Sequence, residues 1–85
     1  MSKNFKYTNY FLNEVIRKRP YIKKEWCEFI VLHYIHKEIQ FDNRLKFWGY
    51  VPEFDNKILR VVTLADEETI HNAFPDRNFK KEFER

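Results

Sequence analysis

The sequence predicts an α+β fold, an N-terminal helical hairpin packed on one face of a four-stranded antiparallel sheet. Two observations carry this. The apolar period changes from 3.6 to 2 after Tyr34. Beyond that point, short β-rich runs alternate with turn residues: Asp42-Asn43, then Pro52 with Asp55-Asn56, then Ala65 to Glu68. No repeat or linker divides the chain, so residues 1–85 read as a single domain.

The first helix starts at Thr8, a residue able to cap it. Phe11, Leu12, Val15 and Ile16 then form one apolar stripe. Arg17, Lys18 and Arg19 fill the last turn, where cations suit the helix dipole, and Pro20 stops it. A second helix is expected from about Ile22 to His33. Ile22, Trp26, Phe29, Ile30 and His33 share a face that Cys27 and Val31 widen, and Lys24 and Glu28 make an i,i+4 pair on the other side.

KEIQF and RLKFWGYV read as the first two strands. A two-residue Asp42-Asn43 turn would mix their faces. A three-residue loop, Phe41 to Asn43 with Asn43 left-handed, sets Ile39 opposite Leu45 and Glu38 opposite Lys46. Ile39, Leu45, Phe47 and Val51 then share one face; Arg44, Lys46, Trp48 and Tyr50 share the other.

ILRVVTL, almost continuously apolar, reads as a central strand. A four-residue loop, Ala65 to Glu68, would pair Leu64 with Thr69, Val62 with His71 and Arg60 with Ala73. Leu59, Val61, Ile70 and Phe74 would then face the helices. Arg60, Val62, His71 and Ala73 would join the opposite, open face. Pro75 ends the last strand, and the DRNFKKEFER tail beyond it reads as a helical turn or an edge strand.

Composition bounds the function. A chain of 85 residues buries only ~60–65% of the surface it exposes when unfolded. Nine Phe, five Tyr and two Trp offset this small core. Cys27 is the one cysteine and has no disulfide partner, which points to a reducing cytoplasm. No apolar run is long enough to span a membrane, and the N-terminus lacks a signal-peptide core. The net charge of +3 permits an anionic partner without demanding one.

No metal or other cofactor is expected. His33 and His36 straddle the helix-to-strand change, and the only glycine, Gly49, makes no phosphate loop. The open face offers a different chemistry. Arg44, Lys46, Trp48 and Tyr50 combine cations for phosphates with rings for unstacked bases. His71 can move a proton near neutral pH, and Arg60 and Arg77 can hold charge on a phosphate, so the three could cleave RNA without a metal. Each residue also has a structural reading. His71 can be an ordinary strand residue, Arg60 can pair with Glu38 or Glu68, Arg77 can pair with Asp76, and Trp48 and Tyr50 can simply cover the sheet.

RPYIKKEW, KFWGY and LRVVTLADEETIHNAFPDR resemble segments of a family of small bacterial proteins, often cyanobacterial, of the domain-of-unknown-function type. That family is itself remotely similar to the RelE and BrnT toxins. The resemblance runs from about Tyr7 to Phe79. It implies a RelE-like fold and a toxin of the toxin–antitoxin kind, a metal-independent mRNA endonuclease acting on RNA, in many cases on the ribosome, and silenced by an antitoxin protein. The catalytic positions it implies are Arg60, His71 and Arg77. The alternative is a non-enzymatic protein- or RNA-binding module that uses the same face.

Overall fold

The structure, a computed structural model, describes residues 4–40 and 42–79. In chain order it has β1 (Lys6–Tyr7), helix α1, helix α2 (Lys24–Leu32), β2 (His36–Ile39), β3 (Leu45–Val51), β4 (Lys57–Thr63) and β5 (Thr69–Pro75). Helix α1 opens with a wide π-helical turn, Phe11–Val15, and runs on as Ile16–Lys18. A 3-10 turn, Pro52–Phe54, follows β3. The α+β class holds, but the sheet has five strands and is mixed, in the order β1-β5-β4-β3-β2. The added strand, β1, runs parallel to β5, with Lys6 beside Thr69 and Tyr7 beside Ile70. Two residues carry no readable period, so the four-strand antiparallel expectation missed it.

The helices form as their caps and stripes require. Thr8 Oγ1 accepts the Phe11 N–H at 3.1 Å, and the chain leaves helical geometry at Arg19, just before Pro20. Lys24 and Glu28, expected to pair with each other, both meet Tyr7. Glu28 accepts the phenol hydroxyl, and the Lys24 ammonium lies 5.2 Å from the ring centre. Burial and the Glu28 carboxylate push the Tyr7 hydroxyl pKa upward.

One face of the sheet makes the main core with the helices. Phe11, Val15, Ile22, Cys27 and Ile30 pack on Phe47, Val51, Leu59, Val61, Ile70 and Ala73. Each fully buried Phe, Leu or Ile contributes roughly 1.5–3 kcal/mol. Burial pushes the Cys27 thiol up to about 12, so it stays protonated as a packed apolar group.

The β2–β3 hairpin follows the expected register, with Ile39 opposite Leu45, Glu38 opposite Lys46, and Asn43 left-handed at φ 67°. Ile39 nevertheless remains 76% exposed, on the edge strand of the sheet.

The β4–β5 pair departs from expectation. Thr63 lies opposite Ile70, but Val62 lies opposite Asn72 and Arg60 opposite Phe74. His71 is therefore the extra residue of a β-bulge. The bulge shifts all that follows by one position. Ala73 takes the core place expected of Phe74, and Phe74 turns to the Arg60 side.

The second face is not open along its length, as the sequence suggested. Residues 76–79 fold back over it, and Trp48, Ile58 and Phe79 form a small second core that Tyr50 flanks. Phe79 stacks on Trp48 with ring centres 5.6 Å apart.

At Gly49 α2 comes close to the sheet, and a Cβ there would stand 2.8 Å from Ile30 Cδ1. Gly49→Ala should destabilise the fold by about 1–2 kcal/mol in urea denaturation. Ile30→Val removes the clashing methyl, so the double variant should lose less than the sum of the two singles; strict additivity would show that the contact is not limiting.

Candidate nucleic-acid interface

Arg60 and Trp48 meet at one carboxylate. Asp76 Oδ2 accepts the Trp48 indole N–H at 2.8 Å and lies 3.1 Å from Arg60 Nη2. Its other oxygen accepts the Asn78 backbone N–H at 3.0 Å. The Arg60 guanidinium lies 4.5 Å from the Phe74 ring centre and 5.5 Å from that of Trp48. Its Nε is buried with no hydrogen-bond partner among the described residues. Burial pushes the Asp76 carboxyl pKa up, but the Trp48 and Asn78 donors and the Arg60 charge outweigh it and hold the group below the ordinary carboxylate range. Arg60 thus has the structural carboxylate partner its mid-strand position requires, and that partner is Asp76 rather than Glu38 or Glu68. Trp48, only 4% exposed, does not offer a face on which a base can lie.

His71 occupies the bulge near the start of β5. Its Nδ1 is 3.1 Å from Thr8 Oγ1, and its ring stacks on Tyr10 at 5.0 Å. Burial, then the Arg44 charge, lowers its pKa; Asp42 opposes them more weakly. The imidazole is therefore neutral at neutral pH. Phe74, opposite Arg60, lies three residues further along β5, a distance of roughly 10 Å at ~3.3 Å per residue. Arg77 is further still, beyond Pro75 and exposed. The three residues implied as catalytic therefore do not surround one phosphodiester. Of the expected RNA-binding set, Lys46 lies over Trp48 at 5.8 Å, Tyr50 belongs to the second core, and Arg44 stands 4.0 Å from Asp42.

Arg77 belongs to another site. At the end of the sheet, an open groove of about 610 Å3 is lined by Tyr21, Phe54, Asp55, Lys57, Pro75 and Arg77, among others. Its floor is built by turns. Asp55 and Asn56 are both left-handed, at φ 54° and 56°, and bring the chain from the 3-10 turn into β4. Such residues tolerate this geometry better than branched ones. Tyr21, in the α1–α2 connection, stacks on Phe54 with ring centres 5.6 Å apart, and Phe54 stacks on Trp26 at 5.2 Å. Lys57 Nζ stands 4.8 Å from the Phe54 ring centre. Tyr21 stays 46% exposed, with a ring available to a ligand. Asp76 also lines the groove, but its charge is met by Arg60, which leaves Asp55 against the cations Lys57 and Arg77.

Sequence reasoning missed Lys57, at the first position of β4, and Tyr21 and Phe54, which come from separate connections with no shared motif. The one available signal was a prolyl turn carrying an aromatic residue in each, Pro20-Tyr21 and Pro52-Glu53-Phe54.

Comparisons with family models, curated proteins and solved structures find no match to this chain. Among the described residues, no group of three His, Cys, Asp or Glu side chains is placed to hold a metal, and no helix is long and apolar enough to cross a membrane.

Asp76→Asn would leave Arg60 without its countercharge and set an amide N–H2 against the Asn78 N–H even with its oxygen kept on the Trp48 side, and should cost about 2–3 kcal/mol at neutral pH by denaturant titration. The pH dependence has a definite sign. The folded pKa of Asp76 is lowered from 3.8, so its contribution is complete above that value and is lost as pH falls through the folded pKa. The variant should lack this acid-limb decline; an unchanged limb would remove Asp76 from the account.

Proposed function

We propose that this chain binds single-stranded RNA in the groove at the end of its sheet. The observation that carries the reading is the exposed Tyr21 ring, backed by Phe54, beside Lys57 and Arg77 on the same groove. A flat ring held rigid by a second ring suits an unstacked base, and two cations beside it suit the adjoining phosphates. Arg19, 5.8 Å from the Phe74 ring centre, adds positive charge at the end of α1. The choice of RNA rests on the resemblance of the KFWGY, LRVVTL and TIHNAF segments to the small bacterial family that is itself remotely similar to the RelE and BrnT toxins.

The same resemblance favours a toxin-type endonuclease. That chemistry asks for a base, an acid and a cation at one phosphodiester. The separation of His71, Arg60 and Arg77 supports binding over cleavage, and the binding reading is the one we adopt.

Fluorescence anisotropy with a labelled single-stranded RNA of about ten nucleotides tests it. Tyr21→Ala should weaken binding by roughly 5- to 150-fold, the equivalent of ~1–3 kcal/mol per stacked base. Lys57→Ala and Arg77→Ala should each reduce the salt slope by about 0.7. His71→Ala should leave binding unchanged. Binding indifferent to Tyr21, Lys57 and Arg77 would reject this site. Cleavage of the RNA by the wild type, lost in His71→Ala, would restore the endonuclease reading.

A further inference from the structure

The Tyr21–Phe54–Trp26 row ends in a second groove, of about 260 Å3, between α2 and the end of β3. Its walls are Trp26, Phe29, Val51 and Pro52, and among the described residues its only charged lining residues are Glu25 and Glu53. Phe29 is 42% exposed although it stands on the helix face that the sequence assigns to the core. Glu53 accepts the Trp26 indole N–H at 2.7 Å through one oxygen, which leaves the other for a second donor. Lys23 lies over the Trp26 ring at 5.7 Å but does not line the groove. The result is an apolar channel lined by two carboxylates and, among the described residues, no cation.

We infer that this groove docks an arginine side chain from a protein partner. The walls match the apolar stem of arginine, the half-exposed Phe29 ring, which also meets the His33 ring at 4.7 Å, can stack on a planar guanidinium, and Glu25 and Glu53 offer acceptors to its five N–H donors. The guanidinium is more weakly hydrated than an ammonium and costs less to bring against rings. Exposed carboxylates bind a lone cation weakly, so the side chain acts as an anchor within a longer basic segment. This inference is independent of RNA binding, because it uses neither Tyr21, Lys57 nor Arg77.

The Trp26 indole N–H is a built-in reporter, and that of Trp48, held by Asp76, is its internal control. The full chain, 15N-labelled, is titrated with acetyl-Ala-Arg-Ala-amide and with the same peptide carrying norleucine, which keeps the stem and removes the charge. The arginine peptide should shift the Trp26 indole resonance saturably in the millimolar range and leave that of Trp48 in place. The norleucine peptide should bind about tenfold more weakly, a difference of ~1.4 kcal/mol. Glu25→Gln and Phe29→Ala, both at exposed positions, should each weaken the arginine peptide severalfold while the amide spectrum stays folded. Glu53→Gln keeps an oxygen for the indole and should do the same. A Trp26 resonance that does not move, that responds equally to norleucine, or that responds equally in Glu25→Gln overturns the assignment.

Discussion

The carboxylate of Asp76 is the contact on which the second face of the sheet depends. One of its oxygens meets both the Trp48 indole N–H and the Arg60 guanidinium, and the other stops the chain at Asn78. Without it, a cation in the middle of a central strand would lie against two rings with no countercharge. With it, the guanidinium can sit over Phe74 and Trp48 as a packing element. The same anchor brings Phe79 down onto Trp48, and a chain this short gains a second small core from a segment that would otherwise trail into water. A surface that composition alone presents as an RNA platform is in this way largely committed to stability.

The bulge at His71 has the next largest consequence. Strand periodicity is a parity count, and one extra residue inverts every position after it. Up to Ile70 the alternation places each side chain correctly. Beyond it, Ala73 rather than Phe74 enters the core, and Phe74 joins the Arg60 side. The hairpin between β2 and β3 was legible because competing physical demands agreed: the faces matched, Glu38 met Lys46, and Asn43 could take the left-handed position. The β4–β5 loop gave no such warning. Leu64 does bond to Thr69 as its length requires, and the irregularity begins only afterwards. β1 was unreadable for another reason. It joins β5 through backbone bonds from Lys6 and from Thr8, just after it, to Glu68 and Ile70, which no side-chain pattern encodes.

The candidate site was legible in its residue types more than in its place. Cations beside aromatic rings recur in the observed groove, and Arg77 is common to it and to the expected site. The remaining aromatic partners lie in connections, and Lys57 stands at the first position of β4. Tyr21 and Phe54 are separated by more than thirty positions, and they meet because each follows a proline that turns the chain at the same end of the molecule. Strand reasoning gathers residues across a face. It does not see the ends of the sheet, where connections converge and where side chains are held firmly without being covered.

The two grooves also share their construction with the fold. Asp76 donates its backbone N–H to the Ile58 carbonyl at 3.0 Å, which lays the chain after β5 alongside the start of β4. Residues 57 and 77 are the immediate neighbours of that bond, so Lys57 and Arg77 reach the groove from adjoining backbones rather than from independent loops. The carboxylate that buries Trp48 and the backbone bond that positions Arg77 belong to one residue. At the other end of the aromatic row, Glu53 fixes the Trp26 indole, and Trp26 in turn supports Phe54 beneath Tyr21. Each groove therefore has one carboxylate spent on holding an indole in place. The surfaces that remain for ligands, cationic at one end and acidic at the other, are rigid because the residues behind them are part of the packing.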